Sequence, residues 1–333
     1  MFKPALQLIT VLSMLTAALS PATAAHKTIK LCSLSHELKL TSIAQTSKQI
    51  TWKADHTNLT FFTGSRKLLF NNTLFWLNDP LSRKGNTLRI STTDAETIIK
   101  PLLHPSNFLT NCKSGFVVLD PGHGGKDSGG IGYNSIQEKK VVLDISRRVA
   151  KKLTAKGVRV RLTRAHDTFV DLSKRPRLAT HWGADIFVSI HANKAGNTQA
   201  NGIETFVVPA AGSCSTSSTK ANSKNYAGNN HNAANTILAG SIHTKLLKTS
   251  KASDRGVKRA RFVVIKNATC PAALVEVGFL TNTREGKKLN TKSYRDKLAD
   301  GIATGILDYI SQVKAAAHQK EQAHAQKSQA RKK

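Results

Sequence analysis

One stretch limits the possible folds more than any other: Phe116-Val117-Val118-Leu119-Asp120-Pro121-Gly122-His123-Gly124-Gly125-Lys126-Asp127-Ser128-Gly129-Gly130. An apolar run rich in β-branched residues stops at Asp-Pro-Gly, the pattern of a buried strand entering a turn. His123 follows the turn between glycines, which let the backbone bend tightly and leave the imidazole open to a ligand. In open α/β sheets, ligands sit just beyond the carboxyl ends of strands, where this histidine falls. A phosphate-cradling loop would need Gly-x4-Gly-Lys-Ser/Thr. Here Asp120 stands where the first glycine belongs and Asp127 follows the lysine, so that reading fails. A metal site remains, and its other ligands must come from elsewhere in the chain.

Downstream of this stretch, strand and helix signals alternate, which predicts an α/β domain with a parallel or mixed sheet. Residues 137–157 read as a long helix with Val142, Ile145, Val149 and Leu153 on its apolar stripe. Strands are expected at 158–162, 184–190, 202–208, 262–265 and 272–279, and helices at 233–247 and 294–313. The Ser-, Asn- and Gly-rich segment 213–232 reads as a long loop. Upstream, 26–113 forms a small β-rich module, with β-prone runs at 50–53, 59–62, 67–70 and 73–77 and a short helix from Thr93. Nothing in this module carries chemistry. It is expected either to bind a partner or to act as a folding spacer.

Three positions at strand ends or helix starts carry metal-binding side chains: His123, Glu138 and His191. Two imidazoles and a carboxylate are a ligand set of hydrolytic zinc, with the fourth position left to water. A base is still needed, and Glu276 sits inside Leu274-Val275-Glu276-Val277-Gly278-Phe279. A carboxylate in so apolar a strand costs several kcal/mol unless it has a partner or a task. Acting on the water would be such a task. The plainer reading of Glu276 is half of a buried salt bridge, with Arg164, Arg175 or Arg255 as partner. Glu204 is expected to support the site without being a ligand.

Met1-Phe2-Lys3, an apolar core at 5–19 and the small residues Pro21-Ala22-Thr23-Ala24-Ala25 read as a secretory signal peptide over 1–25. A retained helical anchor is the alternative, and lipidation at Cys32 a weaker one. The four cysteines, Cys32, Cys112, Cys214 and Cys270, would then meet an oxidising compartment. Pairing Cys32 with Cys112 and Cys214 with Cys270 would let each bridge close one folding unit. A formal charge of +30 asks for an anionic partner. For an exported chain with 6% aromatic residues and no nucleic-acid motif, that partner is envelope material and not nucleic acid. The tail, 314–333, reads as a basic arm without a fold of its own.

Residues 115–312 resemble the zinc-dependent N-acetylmuramoyl-L-alanine amidases. The matching segments are Val118 to Asp127, Glu138, Leu162-Thr163-Arg164 with Asp167, Leu172 with Arg175, and Ser189-Ile190-His191-Ala192-Asn193. They continue, in family order, with Gly202-Ile203-Glu204-Thr205, Arg255-Gly256-Val257-Lys258 and Pro271 to Asn282. The resemblance implies a catalytic domain at 114–313 with a central sheet of about six strands flanked by helices. It also implies Zn2+ held by His123, Glu138 and His191, with Glu276 as the catalytic carboxylate. The implied reaction is hydrolysis of the amide between N-acetylmuramic acid and L-alanine in peptidoglycan, for wall remodelling or daughter-cell separation. Some family members plug the metal with a carboxylate from an inserted helix until an envelope activator removes it. Segment 209–251 here contains no Asp or Glu, so only His231 or His243 remain to play that part. A monomer in the periplasm or envelope is expected. A zinc carboxypeptidase or endopeptidase on stem peptides and a non-catalytic wall-binding protein stay open as alternatives.

Overall fold

The computed structural model describes residues 27–330, so the expected leader at 1–25 lies outside the described residues. The amino-terminal part supplies β1 (Thr28–Lys30), β2 (Thr41–Gln45), β3 (Gln49–Ala54), β4 (Thr57–Phe62), β5 (Lys67–Phe70), β6 (Thr73–Trp76), β7 (Ser82–Lys84) and β8 (Thr87–Ser91). The remainder supplies β9 (Phe116–Pro121), β10 (Arg159–Leu162), β11 (Ile186–Asn193), β12 (Ile203–Val207), β13 (Asp254–Arg259) and β14 (Ala272–Phe279). One mixed sheet takes them in the order β10-β9-β11-β14-β12-β13-β6-β5-β4-β3-β2, while β1, β8 and β7 form a separate small sheet.

The centre of the large sheet follows from its sequence. β9, β11 and β14 pair in parallel and are covered on both faces, which suits continuous apolar runs. Alternate residues serve opposite faces. Val117, Leu119, Ile186 and Val188 join the large core, and Phe116, Val118, Phe187 and Leu274 join a smaller one. The helices Glu138–Thr154, Asn232–Ser250 and Lys292–Ala330 close the first face, and Lys174–His181 and Val263–Lys266 close the second. The last two long helices approach so closely that a Cβ on Gly305 would lie 2.3 Å from the Cα of Ile242. In β11 and β14 burial is interrupted at one residue each, His191 and Glu276.

The expected β-runs of the amino-terminal module are β3 to β6. Asn71 and Asn72, at φ 48 and 65, make the tight turn between β5 and β6, a conformation that asparagine tolerates. The module does not stand apart from the rest. Phe75 of β6 pairs in parallel with Val257 of β13, Leu74 N donates to Asp254 Oδ2 at 2.8 Å, and Trp76 Nε1 donates to Arg255 O at 3.1 Å. The six strands β9 to β14 are therefore continued by the module in one sheet.

Three expectations need correction. Residues 262–265 are not a strand: Val263–Lys266 is a short helix, and the strand nearby is the charged run β13. A four-residue apolar run fits either period. The tail is helical as far as Ala330, because Ala, Gln, Glu and Lys are strong helix formers and nothing stops the preceding helix. Ala316 is fully buried, and Lys320 Nζ reaches Asn111 Oδ1 at 2.8 Å. Finally, all four cysteines are free. Cys32 is exposed, Cys112 is half-buried, and Cys270 lies in the smaller core. Burial pushes the Cys270 thiol up to about 12, so it stays protonated and inert. Alkylation of native protein at pH 8 should therefore label Cys32 quickly and Cys270 only after denaturation. A native protein with no titratable thiol would contradict this arrangement.

Candidate metal centre

The site is built where β9 and β11 end and the helix Glu138–Thr154 begins. His123 takes a left-handed backbone, φ 59, just beyond β9. Two glycines make room for the imidazoles. A Cβ on Gly122 would meet the His191 ring at 2.3 Å, and one on Gly129 would lie 2.6 Å from the His123 ring and 2.7 Å from Glu138 Oε2. No other residue type fits either position.

His123 Nε2 and His191 Nδ1 lie 3.1 and 3.0 Å from the same oxygen, Glu138 Oε1. One ligand atom from each of the three residues lies within 4.8 Å of the others, and the imidazoles stand nearly perpendicular at 80°. The outer partners are in place as well. Asp127 Oδ2 accepts from His123 Nδ1 at 2.8 Å, which orients the ring and leaves Nε2 for a metal. Glu138 Oε2 accepts from Gly130 N at 2.8 Å and Oε1 from Ala192 N at 3.1 Å. Burial would raise the Glu138 carboxyl, but the imidazoles of His123 and His191 outweigh it and hold it well below the usual range. Burial likewise opposes a charged His123, and the hydrogen bonds to Glu138 and Asp127 overcome it and raise its pKa. Two imidazoles facing one ionised carboxylate, with the outer hydrogen bonds already made, fit a divalent transition metal of the zinc type.

Glu276 is aligned with His191 across the β11–β14 pair and with Glu204 across the β14–β12 pair. Its Oε2 is sealed from solvent and meets no hydrogen-bond partner. Burial, then the charges of Glu138 and Glu204, push its carboxyl well above the ordinary value. None of the three arginines expected as a salt-bridge partner takes it. Arg164 donates to the carbonyls of Pro121, Gly122 and Lys139, Arg175 pairs with Asp120, and Arg255 pairs with Glu204. Lys258 adds a second cation on Glu204 at 2.6 Å, and these cations overcome burial and lower the Glu204 pKa.

Sequence reasoning missed what holds the glycine turn. Asp120, fully buried, accepts from Thr163, Arg175 and Ser189, and Arg175 reaches on to His123 O at 2.7 Å. Removing one partner from such a buried pair strands a charge at a cost of about 3–5 kcal/mol, so the two act as a unit. Asp120 offered the same signal as Glu276, a carboxylate closing an apolar strand. The two histidines considered as plugs are engaged elsewhere: His243 with Thr205 and Asp254, His231 with Thr269 O.

Residues 117–308 match the protein family described as N-acetylmuramoyl-L-alanine amidase. The N-acetylmuramoyl-L-alanine amidase LytC of Bacillus subtilis is 37% identical over 247 residues, covering 74% of this chain but 43% of LytC. The chain thus spans less than half of that relative's length. The amidase AmiA of Escherichia coli is 36% identical over 218 residues, covering 58% of this chain and 75% of AmiA. Among solved structures, the amidase AmiC2 of Nostoc punctiforme superposes with a TM-score of 0.51 at 34% identity, covering 60% of this chain and 99% of AmiC2.

Proposed function

The chain belongs to the N-acetylmuramoyl-L-alanine amidase family, and from that membership we propose that it hydrolyses the amide between N-acetylmuramic acid and L-alanine in peptidoglycan, with zinc held by His123, Glu138 and His191. The observation that carries the reading is the convergence of those three ligands beside Glu276, whose buried Oε2 has no other use. When bound, zinc supplies Lewis-acid polarisation of a carbonyl and lowers the pKa of a water towards about 7.

The chain's own residues do the rest. Asp127 fixes the His123 ring, and Gly130 N and Ala192 N fix the two oxygens of Glu138, so the ligand set is rigid before any cation arrives. Glu276 accepts the proton of the attacking water and returns it to the departing alanine nitrogen. A carboxyl whose pKa is raised by burial holds a proton nearer neutral pH, which suits the second transfer. Arg255 and Lys258 offset part of the Glu204 charge, which acts against the ionised form of Glu276 from the next strand.

We place the enzyme in the cell envelope, where its polymer lies. Among the described residues no helix is long and apolar enough to cross a membrane. The test is the product. Digested peptidoglycan should yield stem peptides with a free amino-terminal L-alanine, whereas cuts inside the stem peptide would replace this reading by the peptidase alternative.

A further inference from the structure

Among the described residues, the large apolar side chains left exposed are Ile43, Ile131, Phe169 and Leu172. Ile43 lies on β2, at the far edge of the sheet, whereas Ile131 follows Gly130, which packs on Glu138, and Phe169 and Leu172 lie between Asp167 and Arg175, both of which bond to the glycine turn. Exposed apolar residues scattered singly are ordinary, whereas a group of them beside a site calls for a cause.

Loose chain does not account for it. Asp167 accepts from Gly125 N and from Lys139 Nζ, both at 2.8 Å, tying its segment to the glycine turn. Arg175 Nη2 donates to Val170 O at 3.0 Å and to His123 O at 2.7 Å. The backbones touch: a Cβ on Gly124 would lie 2.2 Å from Thr168 O, and one on Gly125 would lie 2.7 Å from Phe169 N. Phe169 is thus pinned against the turn that carries His123 and still leaves 46% of its surface open, and Leu172 leaves 50%. Lys126 Nζ stands 4.8 Å from the Phe169 ring centroid. Ile131 stands across the turn, next to Gly130, whose neighbours are Glu138, Lys194 and Leu280.

We propose that Phe169 and Leu172 form the platform that seats the glycan strand, with the C–H face of a sugar ring lying on the Phe169 ring. This rests on the function proposed above. With the scissile amide at the metal centre, the sugar must lie against one wall of the site and the peptide against the other. The flat, electron-rich aromatic face matches the flat C–H face of a pyranose. The Lys126 ammonium, which stands over the ring on a flexible stem, can turn aside to donate to sugar hydroxyl or acetamido oxygens. Ile131 has no flat face to offer a pyranose.

The test separates binding from turnover. In a Glu276→Gln background, binding is measured to soluble glycan strands stripped of stem peptides, and separately to free stem peptide. The double substitution Phe169→Ala, Leu172→Ala should weaken glycan binding about tenfold, while Phe169→Trp should retain it. Free stem peptide should bind the parent and the variants alike. With Glu276 restored, the Ala variant should raise KM on peptidoglycan and leave kcat within about twofold. Both side chains are exposed, so melting temperatures should not move. Unchanged glycan binding in the Ala variant, or loss of stem-peptide binding instead, overturns the platform. Protein with Glu276 restored that binds glycan strands but frees no L-alanine termini overturns the functional reading and leaves the platform judged by binding.

Discussion

Exchange of His191 for alanine should remove bound zinc and hydrolysis together while the chain stays folded. Its ring is one of three ligand groups that meet at the site, with Nδ1 3.0 Å from Glu138 Oε1. Loss of an outer-shell partner typically weakens a metal about 10–100-fold, so loss of a ligand should cost about a hundredfold or more. The side chain interrupts the burial of β11 instead of filling the core, so truncation should leave secondary structure intact. Metal content per chain after dialysis, measured beside circular dichroism, decides the matter. Stoichiometric zinc in the variant would show that the three residues are not the ligand set.

Glu276→Gln should do the opposite: keep zinc and lose turnover. The amide preserves shape and removes the oxygen that moves the proton. General acid–base catalysis contributes about 10²–10⁴-fold, so kcat should fall by that range with KM nearly unchanged. Full turnover by this variant would remove Glu276 from the mechanism. Wild-type kcat in Glu276→Gln and zinc loss in His191→Ala are independent outcomes, which keeps the two roles separable.

The residues proposed for these roles stand out in the sequence for a physical reason. A carboxylate within Leu274 to Phe279, or a histidine at the end of Ile186 to Ile190, breaks a run that otherwise serves burial on both faces. Such a break is costly unless the residue has a task. The central strands were legible on the same ground, since a doubly covered parallel strand is written as an apolar run.

Other features depend on meetings between distant residues. β13, Asp254–Arg259, is mostly charged, and no periodicity marks it. It is a strand because β12 holds one edge and β6, about 180 positions earlier, holds the other through Leu74 and Trp76. That same contact turns a separate-looking amino-terminal module into a continuation of the amidase sheet. Asp120 gathers Thr163, Arg175 and Ser189 from three later elements, so only the folded chain brings them together. The cysteines followed the compartment argument in the sequence, but in the fold they lie in separate surroundings, unpaired.

The central claim is that zinc at His123, Glu138 and His191 enables cleavage of one particular bond. The most direct measurement is mass spectrometry of peptidoglycan digested by metal-free protein, before and after one equivalent of zinc. The expected result is no release at first, then free stem peptides with amino-terminal L-alanine together with glycan chains stripped of them. Release that ignores zinc, or fragments cut within the stem peptide, would contradict the account.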